Sequence, residues 1–344
     1  MEPESPLVAP IVSAKPRRWF WRILLWLTLI LVGVLLATMW WWDHEVAPYD
    51  GVAATQVAAK ARAERVVVGT ATSDALVQVS HAMLDKRGGY LSNDVLPPGV
   101  LMDNIPNWEF GVLVQCRDMA RALRNGFSRS QTQSIEDKDL QEAEPLFSFT
   151  NDRWMFPSSE GQYRDAIAHV ERYRTRLQDA DTFDAQFYAR ADNLADYLAA
   201  VESRLGSLSQ RLSASVGPTR INTDLGNDGK AVQSTPTPTQ GPVQTPWREI
   251  DDVFYEARGS AFALAQFLKA IDEDFAKVLE DKNARISLQQ VIHELEEAQE
   301  PVRSPIILNG SPFGFFGNHS LVMANYISRA NATVIELRKL LERG

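Results

Sequence analysis

Four carboxylic acids lie beside predicted turns: Asp94, Asp103, Glu109 and Glu160. Two carboxyl groups can hydrolyse a glycan when one is protonated and acts as the acid while the other is ionised. The same residue types also close turns and cap helices. Asp94 and Asp103 each precede a proline turn, and Glu109 is expected in a first helical turn beside a packed Trp108. The pattern therefore favours structural roles, and we predict no catalytic residue.

Histidine and cysteine offer no metal site by their spacing. No two of the five histidines are three or four residues apart, so a local metal-binding motif is missing from the sequence. His319 follows a glycine- and phenylalanine-rich turn and is expected to begin a helix that Asn318 caps. The single cysteine, Cys116, lies on an apolar helix face and is expected to be buried. The sequence predicts neither a metal ion nor a cofactor.

The polar and aromatic residues of the predicted loops are candidates for contacts with a partner rather than for catalysis. Loops that carry conspicuous polar groups are where binding residues concentrate. The candidate interaction residues are Asp94, Asp103, Asn104, Trp108, Glu109, Glu160, Asn309 and His319.

A long apolar segment near the N-terminus determines on which side of a membrane the rest of the chain lies. Residues 23–42 carry no charge, and a helix of this length spans about 30 Å, the thickness of a bilayer core. Six of the nine tryptophans lie in or beside this segment, as expected for a membrane interface. We predict a transmembrane helix at 23–42, and a cleaved signal peptide is the alternative.

The flanking charges predict the orientation of this helix. Four basic residues precede the segment, and Asp43 and Glu45 follow it. By the positive-inside rule, residues 1–22 form a cytoplasmic tail and the rest of the chain lies outside the cytoplasm. The net charge of −9 argues against a nucleic-acid partner, which would need a basic face.

Helix start and stop residues recur along the exported part. Thr72 or Ser73 is predicted to cap a first helix, and Ser159 opens a later one. Pro145 is predicted to end a short acidic helix. Strand candidates are few, so these residues indicate a helical protein.

Two stretches, 187–212 and 250–278, repeat apolar residues at alternating spacings of four and three. A repeat of 3.5 residues is typical of a narrow packing seam between helices. We interpret the seams as facing each other within one bundle, with Leu198 and Leu264 in a dry core; an intermolecular coiled coil is the alternative. The predicted fold class is all-α: an N-terminal transmembrane helix followed by an antiparallel helical bundle with long heptad-like helices.

Residues 217–246 differ from their surroundings in composition. They contain four glycines, five prolines and six threonines and have no aromatic residue. Such a segment has little to bury, so we predict a flexible linker. It divides the exported part into helical regions at 50–216 and 247–344, which pack together or form two independent domains.

Several phrases of the sequence resemble a known family. They include Gly88-Gly-Tyr-Leu-Ser-Asn-Asp-Val-Leu-Pro-Pro98, Met102-Asp-Asn-Ile-Pro-Asn-Trp-Glu-Phe110 and Phe254-Tyr-Glu-Ala-Arg-Gly259. They are similar to phrases of bacterial inner-membrane-anchored proteins that share a domain of unknown function. The likeness runs from about residue 70 to the C-terminus without the linker. It implies an envelope protein of a Gram-negative bacterium, and it implies no reaction or site residue.

Together these observations predict a single-pass inner-membrane protein with its bulk in the periplasm. The leading hypothesis is a non-enzymatic envelope scaffold or interaction protein with an envelope protein as its partner. A cell-wall-active hydrolase that uses the loop carboxylates is the second hypothesis. A transmembrane sensor is the third, and it would need a cytoplasmic partner because residues 1–22 are too short for a signalling domain.

Overall fold

Helices account for nearly all regular structure in the computed structural model of the chain. It describes residues 18–62, 64–130, 135–179, 184–217, 219–221, 240–242, 244–304, 306–312 and 314–343. The helices are α1 (Arg18–Trp42), α2 (Gly51–Arg62), α3 (Thr70–Leu84), α4 (Asn104–Ala122), α5 (Lys138–Phe147), α6 (Ser159–Gln178), α7 (Ala191–Ser213), α8 (Ile250–Asp274), α9 (Ala276–Asp281), α10 (Arg285–Glu297) and α11 (His319–Glu342). Two three-residue strands, β1 (Thr219–Ile221) and β2 (Gln240–Pro242), pair antiparallel. The predicted all-α class is confirmed.

Helix α1 covers the predicted apolar segment and stands apart from the helices that form the core. It begins at Arg18, five residues before the uncharged run, and ends at Trp42, as expected. Its apolar side chains are exposed, whereas the apolar stripes of the other long helices are buried. It is therefore long and apolar enough to cross a membrane. Most of the predicted cytoplasmic tail and most of the predicted linker lie outside the described residues.

Helix α8 lies at the centre of the core. It packs mainly along α4 and also contacts α3 and α10, while α7 packs mainly along α11. Leu198 and Leu264 are both fully buried, as the seam pattern predicts. The prediction that the two seams face each other is wrong, because each seam has a different helix as its main partner. Both partnerships join helices from the two sides of the linker.

Two glycines allow α4 and α8 to approach closely. A Cβ on Gly111 would lie 2.1 Å from the carbonyl oxygen of Glu256. A Cβ on Gly259 would lie 2.0 Å from the carbonyl oxygen of Trp108. Any side chain at either position would push the two backbones apart.

Several helices begin at a residue that caps them locally. Asp103 accepts a hydrogen bond from the Asn104 N–H (3.0 Å), and Asn318 accepts one from the Leu321 N–H (2.8 Å). Helix α6 is capped by Ser158, one residue before the predicted cap. Pro145 lies inside α5, which ends two residues later.

Helix α3 begins in a way that local sequence does not indicate. It starts at Thr70, so the prediction that Thr72 or Ser73 caps it is wrong. The cap comes from Asp274 at the end of α8, whose carboxylate accepts hydrogen bonds from the N–H groups of Gly69 and Thr72, each at 2.7 Å. A carboxylate there satisfies free amides and complements the helix dipole.

Candidate functional site

The segment that joins α1 to the core is held at a buried arginine. The Arg258 side chain, on α8, donates to both carboxylate oxygens of Glu45 at 2.6 and 2.8 Å. It also donates to the carbonyl oxygens of Ala298 (3.3 Å), Gln299 (3.1 Å) and Glu300 (2.9 Å) at the end of α10. Because a buried guanidinium needs all its donors satisfied, this residue ties three parts of the chain together.

A second attachment of the same segment lies at Tyr49, four residues after Glu45. The Gln266 side-chain amide donates to the Tyr49 carbonyl oxygen at 3.0 Å, and its oxygen accepts from the Gly51 N–H at 3.4 Å. The Tyr49 ring packs on Phe262 with the ring centres 5.9 Å apart. Residues 43–51 therefore follow the surface of the core instead of forming a loose tether.

The junction borders a cavity of about 380 Å³. It is lined by Asp43, His44, Glu45, Val46, Ala47, Pro48, Ile105, Trp108, Tyr255, Arg258, Phe262, Gln299, Pro301 and Val302. Burial raises the pKa of Asp43, and a hydrogen bond from Asn104 opposes that rise. The cavity is lined by two acids, and one of them, Glu45, is paired with Arg258. Its polar groups therefore mainly support the junction.

Glu109 lies at the adjoining end of α4 and is completely buried. Its carboxylate accepts hydrogen bonds from the N–H groups of Leu91 and Ser92, both at 2.8 Å, and from the Ser92 hydroxyl and the Lys86 ammonium group. Burial raises the pKa of Glu109, and these donors oppose the rise because they favour the ionised form. A carboxylate with every acceptor position filled holds a loop in place and has none left for a substrate.

The neighbouring Trp108 is also buried, at the inner wall of the cavity. Its ring packs on Phe262 with the ring centres 5.2 Å apart, as expected for a residue that packs on the bundle. The expectation that Glu109 lies in the first turn of its helix is wrong. Helix α4 begins at Asn104, so Glu109 lies in its second turn, and the partners of its carboxylate come from the loop after α3.

The other three candidate acids have separate structural surroundings. Asp103 is exposed and caps α4, and Asn104 is the first residue of that helix. Asp94 is half-buried against Gly99, and burial raises its pKa. Glu160 lies in the first turn of α6, where a negative charge complements the helix dipole. No hydrogen bond of the described residues joins any two of Asp94, Asp103, Glu109 and Glu160.

Asn309 and His319 lie in a hairpin that leads into α11. The Leu308 N–H donates to His319 Nδ1 at 3.1 Å, and the His319 N–H donates to the Leu308 carbonyl oxygen at 2.8 Å. Asn309 accepts from the Ser320 hydroxyl at 2.6 Å. His319 therefore has the structural role that its position suggested, at the start of the last helix.

The sequence pattern missed Arg258 and Lys86. Arg258 stands next to apolar seam positions, between Ala257 and Ala261, and a charge so close to a buried stripe is a usable indication of a buried pair. Lys86 gives no such indication, because a lysine after a helix is ordinarily solvated. Among the described residues, no group of three or more His, Cys, Asp or Glu side chains is arranged to hold a metal ion.

Comparison with known proteins gives a family and no activity. The profile of a family described as "uncharacterized protein conserved in bacteria" (DUF2333) matches residues 14–344. No curated protein and no solved structure matches the chain. The match covers nearly the whole chain, including the apolar helix and both sides of the linker. The chain belongs to the DUF2333 family of uncharacterised bacterial proteins.

Proposed function

We propose that this protein is a non-enzymatic scaffold or interaction protein of the Gram-negative cell envelope. In this proposal α1 crosses the inner membrane with the N-terminus in the cytoplasm, and the helical core lies in the periplasm. The observation that carries the proposal is the attachment of Glu45 to Arg258 and of Tyr49 to Gln266. A core fixed directly to the end of an apolar helix is held at the membrane in one orientation, which suits a docking platform.

The dispersed carboxylates support a scaffold over the alternative of a cell-wall-active hydrolase. A hydrolase of that kind needs two carboxyl groups that face one substrate site. One of them must be protonated and free to donate its proton to the substrate. Here Glu109 is saturated by four donors, and Asp103 caps a helix. Within the described ranges, no hydrogen bond links any two of the four loop carboxylates.

The attachment of the junction also supports an uncleaved α1. Arg87 stacks over the ring of Trp41 with its guanidinium carbon 4.3 Å from the ring centre. A Cβ on Gly88 would lie 2.8 Å from the Trp42 ring, so this loop is shaped to fit the last turn of α1. Cleavage before Asp43 would remove both tryptophans from contacts with the core.

The topology is tested with reporter fusions in cells. A reporter that is active only in the periplasm should be active after Gly344 and inactive when it precedes Met1. The protein should fractionate with membranes at its full mass. A soluble product that starts near Asp43 would refute the anchor and leave a secreted helical protein.

The scaffold role is tested by photo-crosslinking in cells. A crosslinking amino acid is placed at exposed positions on three helices, Gln141 on α5, Gln289 on α10 and Glu336 on α11. A docking platform should give one discrete adduct with an envelope protein from one face. The control is irradiation of the same variants after purification in detergent, which detects self-association. Equal, diffuse labelling at all three positions would contradict a defined partner surface.

A further inference from the structure

Three loops at the end of the core where α1 emerges carry exposed apolar side chains. We propose that these loops seat in the outer half of the bilayer beside α1, so that lipid is the partner of this surface. The inference rests on the proposed anchoring of α1. The side chains are Leu96, Leu101, Trp154, Phe156, Phe315 and Phe316, all of them exposed. We call them the apolar rim.

The first loop, residues 85–103, lies directly against the last turns of α1. A cavity is lined by Met39 and Trp40 of α1 together with Leu101 and Met102 of the loop. The Arg87–Trp41 stack joins the same two elements. Leu101 therefore lies beside the end of the apolar helix. Leu96, which is 70% exposed, belongs to the same loop, where its carbonyl oxygen accepts a hydrogen bond from the Val100 N–H at 3.2 Å.

The second loop, residues 148–158, is attached to the first. The Tyr90 hydroxyl donates to the Asn151 carbonyl oxygen at 3.1 Å. The Asn93 side-chain amide donates to the Arg153 carbonyl oxygen at 3.0 Å. Trp154 and Phe156, which are 52% and 86% exposed, follow Arg153 in this loop.

The third loop, the hairpin before α11, lies at the same end of the core. The His319 ring lies 6.4 Å from the ring of Phe254, near the start of α8. The start of α8 is in turn bonded to the start of α4, where the Asn107 side-chain amide donates to Asp252 at 2.7 Å. The hairpin carries Phe315, which is 98% exposed.

An apolar rim of this kind fits lipid better than water or a polar protein face. Soluble surfaces rarely gather large exposed side chains on neighbouring loops, and tryptophan and phenylalanine at such tips favour the membrane interface. Arg87 and Arg153 flank the rim, where guanidinium groups can bind lipid phosphates. The position next to α1 places these loops at the depth where the apolar helix leaves the bilayer.

The test measures contact between single labelled positions and lipid. Single cysteines replace Leu96, Phe156 or Phe315 in the full chain, and each is labelled with an environment-sensitive fluorophore. The native Cys116 does not compete for the label, because it is fully buried and burial raises its pKa to about 12. The labelled proteins are placed in nanodiscs of phosphatidylethanolamine and phosphatidylglycerol, with and without lipid that carries a quenching nitroxide. The nitroxide is near the headgroup for the rim positions and their control, and in the middle of the acyl chain for the position in α1.

Two further positions make the result decisive. Ile286→Cys is the matched control, because Ile286 is an aliphatic residue 82% exposed at the opposite end of α10 from the Arg258 contacts. By the helical rise, that end lies about 18 Å from Ala298. Leu31→Cys, in the middle of α1, reports whether the anchor spans the bilayer.

Labels on the rim should be quenched at least about twofold more than the label at Ile286→Cys, because an interfacial loop seats roughly 5–10 Å into the bilayer. If Leu31→Cys is quenched and the rim behaves like Ile286→Cys, the inference is overturned while the anchor stands. If Leu31→Cys is not quenched, the anchor itself fails. Rim labels that are shielded from aqueous reagents in cells, yet are not quenched by lipid, would mean that a protein covers the rim and would also overturn the inference.

Discussion

Replacing Glu109 by glutamine should destabilise the folded protein by about 3–5 kcal/mol. The substitution keeps the size of the side chain and removes its charge. The Lys86 side chain, only 2% exposed, is then left as a buried cation without its counter-ion. It keeps the carbonyl oxygens of Met83 and Gly89 as acceptors, which places the loss toward the lower end of that range.

The glutamine amide adds a second cost. Glu109 now accepts from two backbone N–H groups, those of Leu91 and Ser92, one on each oxygen. A glutamine has one acceptor oxygen, so one of these N–H groups faces another donor. A buried amide left without an acceptor costs about 1–3 kcal/mol, and this cost overlaps with that of the unpaired lysine.

The assay is unfolding of the full-length protein in mild detergent, followed by far-ultraviolet circular dichroism. A loss of 3–5 kcal/mol corresponds to a fall in Tm of roughly 6–15 °C for a core of this size. Glu160→Gln is the matched control, since the same chemical change is made at a half-buried acid in a first helical turn. We expect that control to cost less than about 1 kcal/mol, the usual size of a helix-dipole effect.

A fall in Tm for Glu109→Gln no larger than that for Glu160→Gln would refute the assignment of Glu109 as a structural clamp. It would reopen the question of a chemical role for this carboxylate. The double variant Lys86→Met with Glu109→Gln gives a further check. The two losses should not add, and their coupling should amount to about 1–3 kcal/mol.

Three other changes test the rest of the core and its acidic edge. Leu198→Ala should lower stability by about 2–5 kcal/mol through loss of buried methyl groups, with a midpoint independent of protein concentration; a concentration-dependent midpoint would favour an intermolecular coiled coil. Gly259→Ala should cost about 3 kcal/mol or more, because the new Cβ meets the Trp108 backbone; an unchanged Tm would mean that α4 and α8 can separate freely. Burial, and then the charges of Asp251 and Asp103, raise the pKa of Asp252 to about 6, so the folded state binds a proton more tightly than the unfolded state. Asp252 should then contribute a fall in stability of about 1 kcal/mol, after allowance for solvent screening, as the pH rises from 4 to 7. Asp252→Asn should remove that contribution from a pH series of Tm values, whereas the contribution of Asp274, whose pKa burial also raises to about 6, should remain.

The helical class and several helix ends could be predicted because their causes are local. Asp103 and Asn318 bond to amides one to three residues away, and the seam through Leu198 repeats within one helix. Helix α2 (Gly51–Arg62) escaped prediction because it is short and alanine-rich and has only a weak apolar stripe. The spacing of nearby residues indicates whether a segment forms a helix. It does not indicate which other helix that segment packs against.

The contacts of the site could not be predicted for the same reason. Asp274 caps a helix that begins 204 residues earlier in the chain, at Thr70, and Arg258 binds a residue 213 positions away. Nothing in the spacing of single residues selects one such pair over many others. The sequence marks Glu109 as a notable acid, but its burial depends on how the loop after α3 folds back onto α4. These long-range contacts therefore cannot be deduced from the sequence and are seen only in the folded structure.

Because the junction is rigid, the core must rotate together with α1 when the tilt of α1 changes. Helix α8 continues for 16 residues beyond Arg258, so it extends about 24 Å from the attachment of Glu45. In a membrane, α1 would adjust its tilt to the local bilayer thickness. A change in tilt of about 10° would move the far end of α8 by about 4 Å, because residues 43–51 are attached to the core and do not absorb the rotation. Bilayer thickness, a property of the lipid, would then be converted into the position of a surface well outside the membrane.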